Sequence, residues 1–353
     1  MNFAYTPAQL ALAEELAVLL GRFEAPPKLR ALADAGIAAF DAELWQALAE
    51  QQWLGHSMGP DQHHRDLGTE EQTLVAYEAG RALASVPLLA TLLAGQALNT
   101  AGSAAYQDEL AVGALRVALC LPPPGAATPA VAVSGDKASG RLSPVADGLV
   151  ADAVLCADAK GDAWLVDLRR PTARRRQLAT LDLAHTAAEL DIDSALAHPL
   201  GPADGLRARA AILTAFEQLG GAQRCLDMAV AYAKERYAFG QPIGAFQAVK
   251  HKLAALHVEI ELARANAYYG ASALTDADPT TLSLAAALAR ASATDTYLTA
   301  AQECLHIHGG VGFTWACEAH LHLRRARALE AALGSAAVWR EGLVDSPVLL
   351  ASL

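Results

Sequence analysis

The sequence has no uninterrupted apolar run of the roughly 20 residues that a helical membrane span needs. Its start, MNFAYTPAQLALAEEL, has neither the basic region nor the small-residue cleavage site of a secretory leader. Both absences predict a cytoplasmic protein that does not meet a membrane. The five cysteines, Cys120, Cys156, Cys225, Cys304 and Cys317, are odd in number, widely spaced and without a C-x-x-C pair. A zinc ribbon and a disulfide framework are thereby disfavoured, and free thiols in a reducing compartment are expected. Basic residues are outnumbered, 27 Lys and Arg against 38 Asp and Glu, for a formal net charge of −11. With no basic stripe to track a phosphate backbone, nucleic acid is not an expected partner. The one dense positive run, Arg169-Arg170 with Arg174 to Arg176, lies in a segment containing Pro171 and Thr172 and reads as a solvated turn. Internal repeats and low-complexity linkers are also missing.

What is present is a chain of 353 residues, 53% apolar and 18% charged, rich in Ala and Leu. That length permits one large domain or two to three modest ones, with a core that needs no staples. Helical punctuation comes first. Thr6-Pro7 reads as an N-cap followed by proline at the first helical position. Pro26-Pro27 ends that helix, a second runs through Leu29 and Leu32 to Gly36, and a third runs from Asp41 through Leu44, Trp45 and Leu48. The segment Gly55 to Gly68 reads as a loop, and Thr69-Glu70-Glu71-Gln72 as a capping box for the next helix. From about Leu115 short β-branched or alternating runs take over, namely Val117 to Leu121, Val131 to Val133, Val150 to Cys156 and Trp164 to Leu168. Helical periodicity returns at Gly205 and persists to Trp339. The expected division is a helical segment 1–114, a small β-domain 115–200 and a second helical segment 201–353.

Within the last segment, RYAFGQPIGAFQ (Arg236 to Gln247) separates two long helical periods. Leu219, Leu226, Ala229, Val230 and Ala233 define the first; Phe246, Val249, Leu253, Leu256 and Ile260 define the second. A turn that carries an Arg, a Phe and a Gln between two helices can clamp a phosphate or carboxylate through a bidentate fork. It can equally be a corner with a solvated Arg, and spacing alone leaves both open.

The block AVAYAKERYAFGQPIGAFQAVKHKLAAL resembles the signature of the acyl-CoA dehydrogenase family, R-x-x-FG-x-PI followed by FQ and H-x-LA. A second block, CLHIHGGVGFTWACEAHLHLRRA (Cys304 to Ala326), is similar to the family's Q-x-x-GG-x-G-[FY] segment and arginine-rich helix. The resemblance is strong over about 150 C-terminal residues and looser over LRALADAG, FDAELWQALAEQQWLG and LVAYEAGRALASVPLL. It implies a helical N-domain, a β-barrel-like middle domain and a C-terminal four-helix bundle, with FAD between the β-domain of one subunit and the helices of the next. Carried over position by position, Arg236 would hold the flavin pyrophosphate and Phe239 would pack on it. Gln247 would hydrogen-bond nearby, and Gly309 and Gly310 would let backbone approach closely. His306 stands where the family carries Gln three residues before the glycine pair. The resemblance further implies an acyl-CoA substrate and an electron-transfer partner.

The departures fall on the reactive side. The family's base is a Glu after the arginine-rich helix, where this chain has Leu333, or near the start of the first C-terminal helix, where it has Ala210. Glu217, two turns beyond Ala210 and flanked by Ala215, Phe216 and Leu219, is the remaining acid; its alternative is an ion pair with Arg207, Arg209 or Arg224. The T-E-P-x-x-G-S-D-like stretch whose hydroxyl meets the flavin ring corresponds to CLPPPGAAT (Cys120 to Thr128), which has no hydroxyl before Thr128. His306, His308, His320 and His322 are paired at i, i+2, a spacing that sends helical side chains to different faces, and they read as structural or substrate-lining rather than metal ligands. Three readings follow: a short subunit sharing its FAD site with a longer homologous partner in a heterotetramer, a self-sufficient homo-oligomer using Glu217, and a flavin-free scaffold.

Overall fold

The computed structural model describes residues 5–23, 25–35, 39–55, 67–124, 131–169, 171–276 and 278–344. The loop expected between Gly55 and Gly68 lies almost wholly outside them, as does the stretch after Pro124 up to Ala130. The chain opens with helices α1 (Pro7–Leu20), α2 (Ala25–Ala35), α3 (Ala42–Glu50), α4 (Thr69–Ala82), α5 (Leu88–Thr100) and α6 (Gln107–Ala111). Local chemistry sets their starts. Thr6 accepts from the Gln9 amide while the Gln9 side chain returns to the Thr6 N–H, a closed capping box with Pro7 at the first position. Asp41 caps α3 by accepting from the Leu44 N–H at 3.0 Å.

The box expected at Thr69 to Gln72 does not form. Gly68 is the capping residue of α4, and Gln72 is drawn inward, donating to the Leu67 carbonyl at 3.2 Å. The first-turn acids Glu70 and Glu71 instead accept from Gln9 at 2.7 and 2.8 Å, which ties α1 to α4.

Seven strands follow: β1 (Val117–Cys120), β2 (Ala132–Ser134), β3 (Lys137–Ala146), β4 (Ala153–Ala157), β5 (Asp162–Asp167), β6 (Ala173–Gln177) and β7 (Ala187–Pro202). Strand β1 pairs with β3 and β4, β4 with β5, β5 with β7, and β7 with β3. The circuit β1-β4-β5-β7-β3 therefore closes on itself as a barrel, with β2 and β6 attached to β3 and β7. The arginine run is corrected by this topology: Arg174 to Arg176 belong to β6, not to a solvated turn. Arg175 turns inward to the carbonyls of Leu149 (2.9 Å) and Leu168 (3.3 Å), while Arg176 meets Glu189 on β7. Long cations on such a border strand discourage further strand addition.

The C-terminal helices are α7 (Ala203–Glu235), α8 (Gln247–Asp276), α9 (Pro279–His308), α10 (Ala319–Ala331) and α11 (Ala336–Val344). Between α7 and α8 stands a hairpin of β8 (Tyr237–Ala238) and β9 (Gln241–Pro242), followed by a 3-10 turn, Ile243–Ala245; a second 3-10 turn, Gly309–Phe313, follows α9. Helices α7 and α9 run parallel and in step, since Gly221 faces Tyr297 and, further along, Tyr232 faces His308. Helix α8 returns beside them. Helix α4 crosses α7 in very close contact: a β-carbon on Gly80 would lie 1.9 Å from the Glu217 carbonyl oxygen, and one on Gly220 1.9 Å from that of Tyr77. Glycine inside a helix costs about 0.5–1 kcal/mol, offset here by backbone contact that no other residue permits. This crossing places Glu217 beneath α4.

Candidate functional site

Three chain segments converge at the end of the bundle where α7 and α9 finish. The Tyr232 ring stacks on His308, centroids 4.4 Å apart and 25° between planes, and joins the last turns of the two helices. Arg236 is the capping residue of α7; its N–H donates to the Tyr232 carbonyl at 2.8 Å and its own carbonyl accepts from Ile243 at 2.7 Å. Backbone on both sides is thus fixed while the guanidinium stays exposed, with no ion-pair partner among the described residues.

The hairpin beyond it pairs Ala238 with Gln241 across Phe239 and Gly240, whose φ values are +51° and +80°. Positive φ at both central positions is the type I′ turn that matches strand twist. An aromatic residue there is uncommon, and Phe239 is 97% exposed, touched edge-on by Phe246 at 6.3 Å. Gln247 opens α8 with its side chain in solvent. At the end of α9, Gly309 takes φ +60° and ψ −138°, a conformation essentially reserved for glycine. A β-carbon on Gly309 or Gly310 would meet nothing within 4 Å, so both backbones face open space. His306, one turn earlier, is exposed with Nδ1 3.8 Å from Glu303. All six sequence-predicted cofactor residues are exposed at this end. A fixed cation, an exposed ring and side-chain-free backbone fit a dinucleotide phosphate approaching from outside.

The other candidate positions lie inside. Ala210 is buried, its carbonyl accepting from Thr214 Oγ1 at 2.8 Å. Leu333 is buried with φ +56°, and its carbonyl accepts from Trp339 Nε1 at 3.1 Å. Arg290, wholly buried, holds this turn by donating to the carbonyls of Leu329 and Ala332, the latter at 2.7 Å, favourable partners for a cation at the end of α10. Burial lowers its pKa to about 10. Beside Leu333, Gly334 packs directly on Pro123 of the triple proline, which Arg207 steadies by donating to the Pro122 carbonyl at 2.8 Å.

Glu217 is buried and accepts from Arg325 Nε at 2.9 Å and from its Nη2. Arg325 Nη1 donates to Asp182 at 2.7 Å, so one largely buried guanidinium bridges α7, α10 and the segment before β7. Burial alone would raise the Asp182 carboxyl, but Arg325, then His185, hold it below its usual range. The partners weighed for Glu217 from sequence are engaged elsewhere or face no acid: Arg207 pairs with Asp204, Arg224 with Glu318, and Arg209 Nη1 is buried without a partner. Neither Arg325 nor Asp182 stood out in the sequence. Arg325 is one arginine of an arginine-rich helix, and its second acid lies 143 residues away, so no spacing signal exists.

The four histidines disperse. His322 meets the Tyr297 hydroxyl at 2.9 Å, His320 packs edge-on against Trp315, His308 lies under Tyr232 and His306 is in solvent. Among the described residues no group of three His, Cys, Asp or Glu could hold a metal ion, and no helix is long and apolar enough to cross a membrane.

A family model described as the acyl-CoA dehydrogenase C-terminal domain matches residues 208–346. Acyl-CoA dehydrogenase IpdE2 of Mycobacterium tuberculosis is 36% identical over 319 residues, 89% of each chain. Among solved structures, a Tcur3481-Tcur3483 steroid ACAD variant superposes with TM-score 0.87 at 27% identity, over 98% of this chain and 99% of that one. The ChsE4-ChsE5 complex from Mycobacterium tuberculosis gives TM-score 0.86 at 27% identity, over 98% and 100%. Fold, motifs and relatives agree: the chain belongs to the acyl-CoA dehydrogenase family, whose members are flavoprotein oxidoreductases acting on CH–CH bonds.

Proposed function

We propose that this chain is a component of a heteromeric acyl-CoA dehydrogenase and shares an FAD site with a longer homologous subunit. The observation that carries the reading is an asymmetry. Arg236, Phe239, Gln247, His306, Gly309 and Gly310 all face outward, whereas both usual base positions are buried aliphatic residues, Ala210 and Leu333. In this reading Arg236 neutralises the pyrophosphate, Phe239 covers it from water, and the Gly309-Gly310 backbone approaches it without a β-carbon. When bound, FAD accepts the hydride from the β-carbon of the acyl thioester. The α-proton goes to a carboxylate of the partner, because the turn at Leu333 has no acceptor and Pro123 rests on Gly334 beside it. An electron-transfer partner reoxidises the cofactor.

The two-component nature of the ChsE4-ChsE5 complex supports this arrangement, and the steroid description of the Tcur3481-Tcur3483 enzyme points to a bulky acyl-CoA as substrate. A self-sufficient homo-oligomer would need Glu217 as base. That carboxylate already accepts two N–H groups from Arg325, so it supports the second reading less well. A flavin-free scaffold would have no use for an exposed Arg beside backbone glycines. Expression alone and with a longer homologue tests the proposal through the ratio of flavin absorbance to protein. Flavin gained only in the co-purified complex is expected; a stoichiometrically yellow homo-oligomer from single expression would sink it.

A further inference from the structure

Three of the five cysteines, Cys225, Cys304 and Cys317, share one apolar cluster. Cys225 of α7 and Cys304 of α9 are fully buried in it. The Cys304 sulfur lies 3.7 Å from His308 Nδ1, which also stands 2.8 Å from the Cys304 carbonyl oxygen. Cys317, half-buried rather than buried, packs against the cluster that holds Cys225 and Cys304. An inner and an outer thiol thus stand together, with His308 against the inner one. Between them run Gly309, Gly310 and Gly312, the backbone best able to yield.

We propose that Cys317 and Cys304 form a peroxide-responsive dithiol, with His308 as the proton carrier between them. The Cys317 sulfur attacks a peroxide oxygen; the O–O bond breaks, Cys317 becomes a sulfenic acid, and the departing hydroxide leaves with the thiol proton as water. Cys304 then attacks the Cys317 sulfur as thiolate. The S–S bond forms, the S–O bond breaks, and hydroxide takes the His308 proton as a second water. Two thiols lose two electrons to one peroxide, and His308 ends neutral.

The electrostatics favour this order. Cys225, then the contact with His308, lowers the Cys304 pKa, while burial raises that of Cys225 and keeps it a thiol. Cys304 and then Cys317 raise His308. The nucleophile of the second step is therefore the inner thiol already poised as thiolate, and the oxidant meets the outer one, because susceptibility follows both thiolate character and exposure. Resting on the flavin reading above, the bridge would pull Cys317 toward the end of α9 and reset the Gly309-Gly310 backbone, weakening its grip on phosphate.

The test uses the full chain alone, without flavin, so that its failure leaves the shared-site reading untouched. Folded protein is treated with hydrogen peroxide, blocked with an alkylating agent and cut after Phe313 and Trp315, which separates Cys304 from Cys317. Mass spectrometry should find a dithiothreitol-reversible link between the two peptides in the wild type and in Cys225→Ser, and none in Cys317→Ser. A bridge from Cys304 to Cys225, a sulfinic acid on Cys317 with no bridge, or an unoxidised Cys317 would each overturn the proposal.

Discussion

Arg325 embraces Glu217 from two sides of its guanidinium, with Nε at 2.9 Å and Nη2 on the same carboxylate oxygen. Glu217 and Asp182 are buried, and the Arg325 side chain between them is largely buried, 12% exposed. Removing the cation leaves two uncompensated carboxylates, and breaking a buried ion pair from one side costs about 3–5 kcal/mol. Arg325→Met is therefore expected to lower the free energy of unfolding by that order, read from urea titration with the slope unchanged. A loss under about 1 kcal/mol would show that the bridge merely breaks even with its desolvation.

The same relationship bears on catalysis. The Glu217 oxygen that would have to meet a substrate is already engaged by two N–H groups of Arg325. Glu217→Gln is expected to leave the turnover of the assembled enzyme within a few-fold of wild type, with flavin occupancy matched beforehand. Loss of a general base typically costs about 10²–10⁴-fold. A drop in the initial rate of flavin bleaching beyond about 100-fold on that scale would make Glu217 the base.

Arg236→Ala is expected to reduce flavin occupancy of the two-subunit complex more than Glu217→Gln does. A charge-assisted contact to a buried phosphate is worth about 2–5 kcal/mol when one side is removed. Because the Arg236 side chain is exposed in the isolated chain, the variant should fold with unchanged thermal stability. Equal occupancy in the two variants would remove Arg236 from the site.

His322 sets a pH dependence. Burial first, then Arg224 and Arg81, lower its pKa to about 3, so the folded protein holds it neutral. Above the unfolded value of about 6.5 neither state binds the proton, and the folded state loses nothing. As pH falls below 6.5 the unfolded chain takes up a proton that the folded chain refuses. Stability should then decline by up to about 1.4 kcal/mol per pH unit from this residue alone. His322→Asn should flatten the slope between about pH 6.5 and 5, before carboxylates titrate. Parallel profiles for wild type and variant would falsify this assignment.

Gly334 has φ +97°, and a β-carbon there would stand 2.6 Å from the Pro123 β-carbon. Left-handed backbone costs a side-chain-bearing residue roughly 1–2 kcal/mol, and overpacking adds a similar amount. Gly334→Ala is expected to lower the unfolding midpoint by an amount equivalent to about 2–4 kcal/mol on those two terms. An unchanged midpoint would mean that the triple proline does not press on this turn.

Alternation of period along the chain was enough to order the architecture as helices, strands and helices, because amphipathic repetition is a property of neighbouring residues. Resemblance to a family motif, not spacing, named Arg236, Phe239 and the Gly309-Gly310 pair, and the structure places them exposed at one end of the bundle. Strands β3, β6 and β7 were not legible. What makes them strands is pairing with partners as distant as Lys137 is from Leu196. Capping was decided by context: the Thr6 box closes, whereas at Thr69 the capping position falls to Gly68 and Gln72 turns inward to the Leu67 carbonyl. The fate of Glu217 belonged entirely to the tertiary structure. Sequence could name it as the remaining acid, but only the helix crossing at Gly80 and Gly220, and the arrival of Arg325 with Asp182 behind it, decide that its charge is already answered. Burial and charge pairing depend on residues far apart in the chain, and no local pattern encodes which of many arginines will arrive.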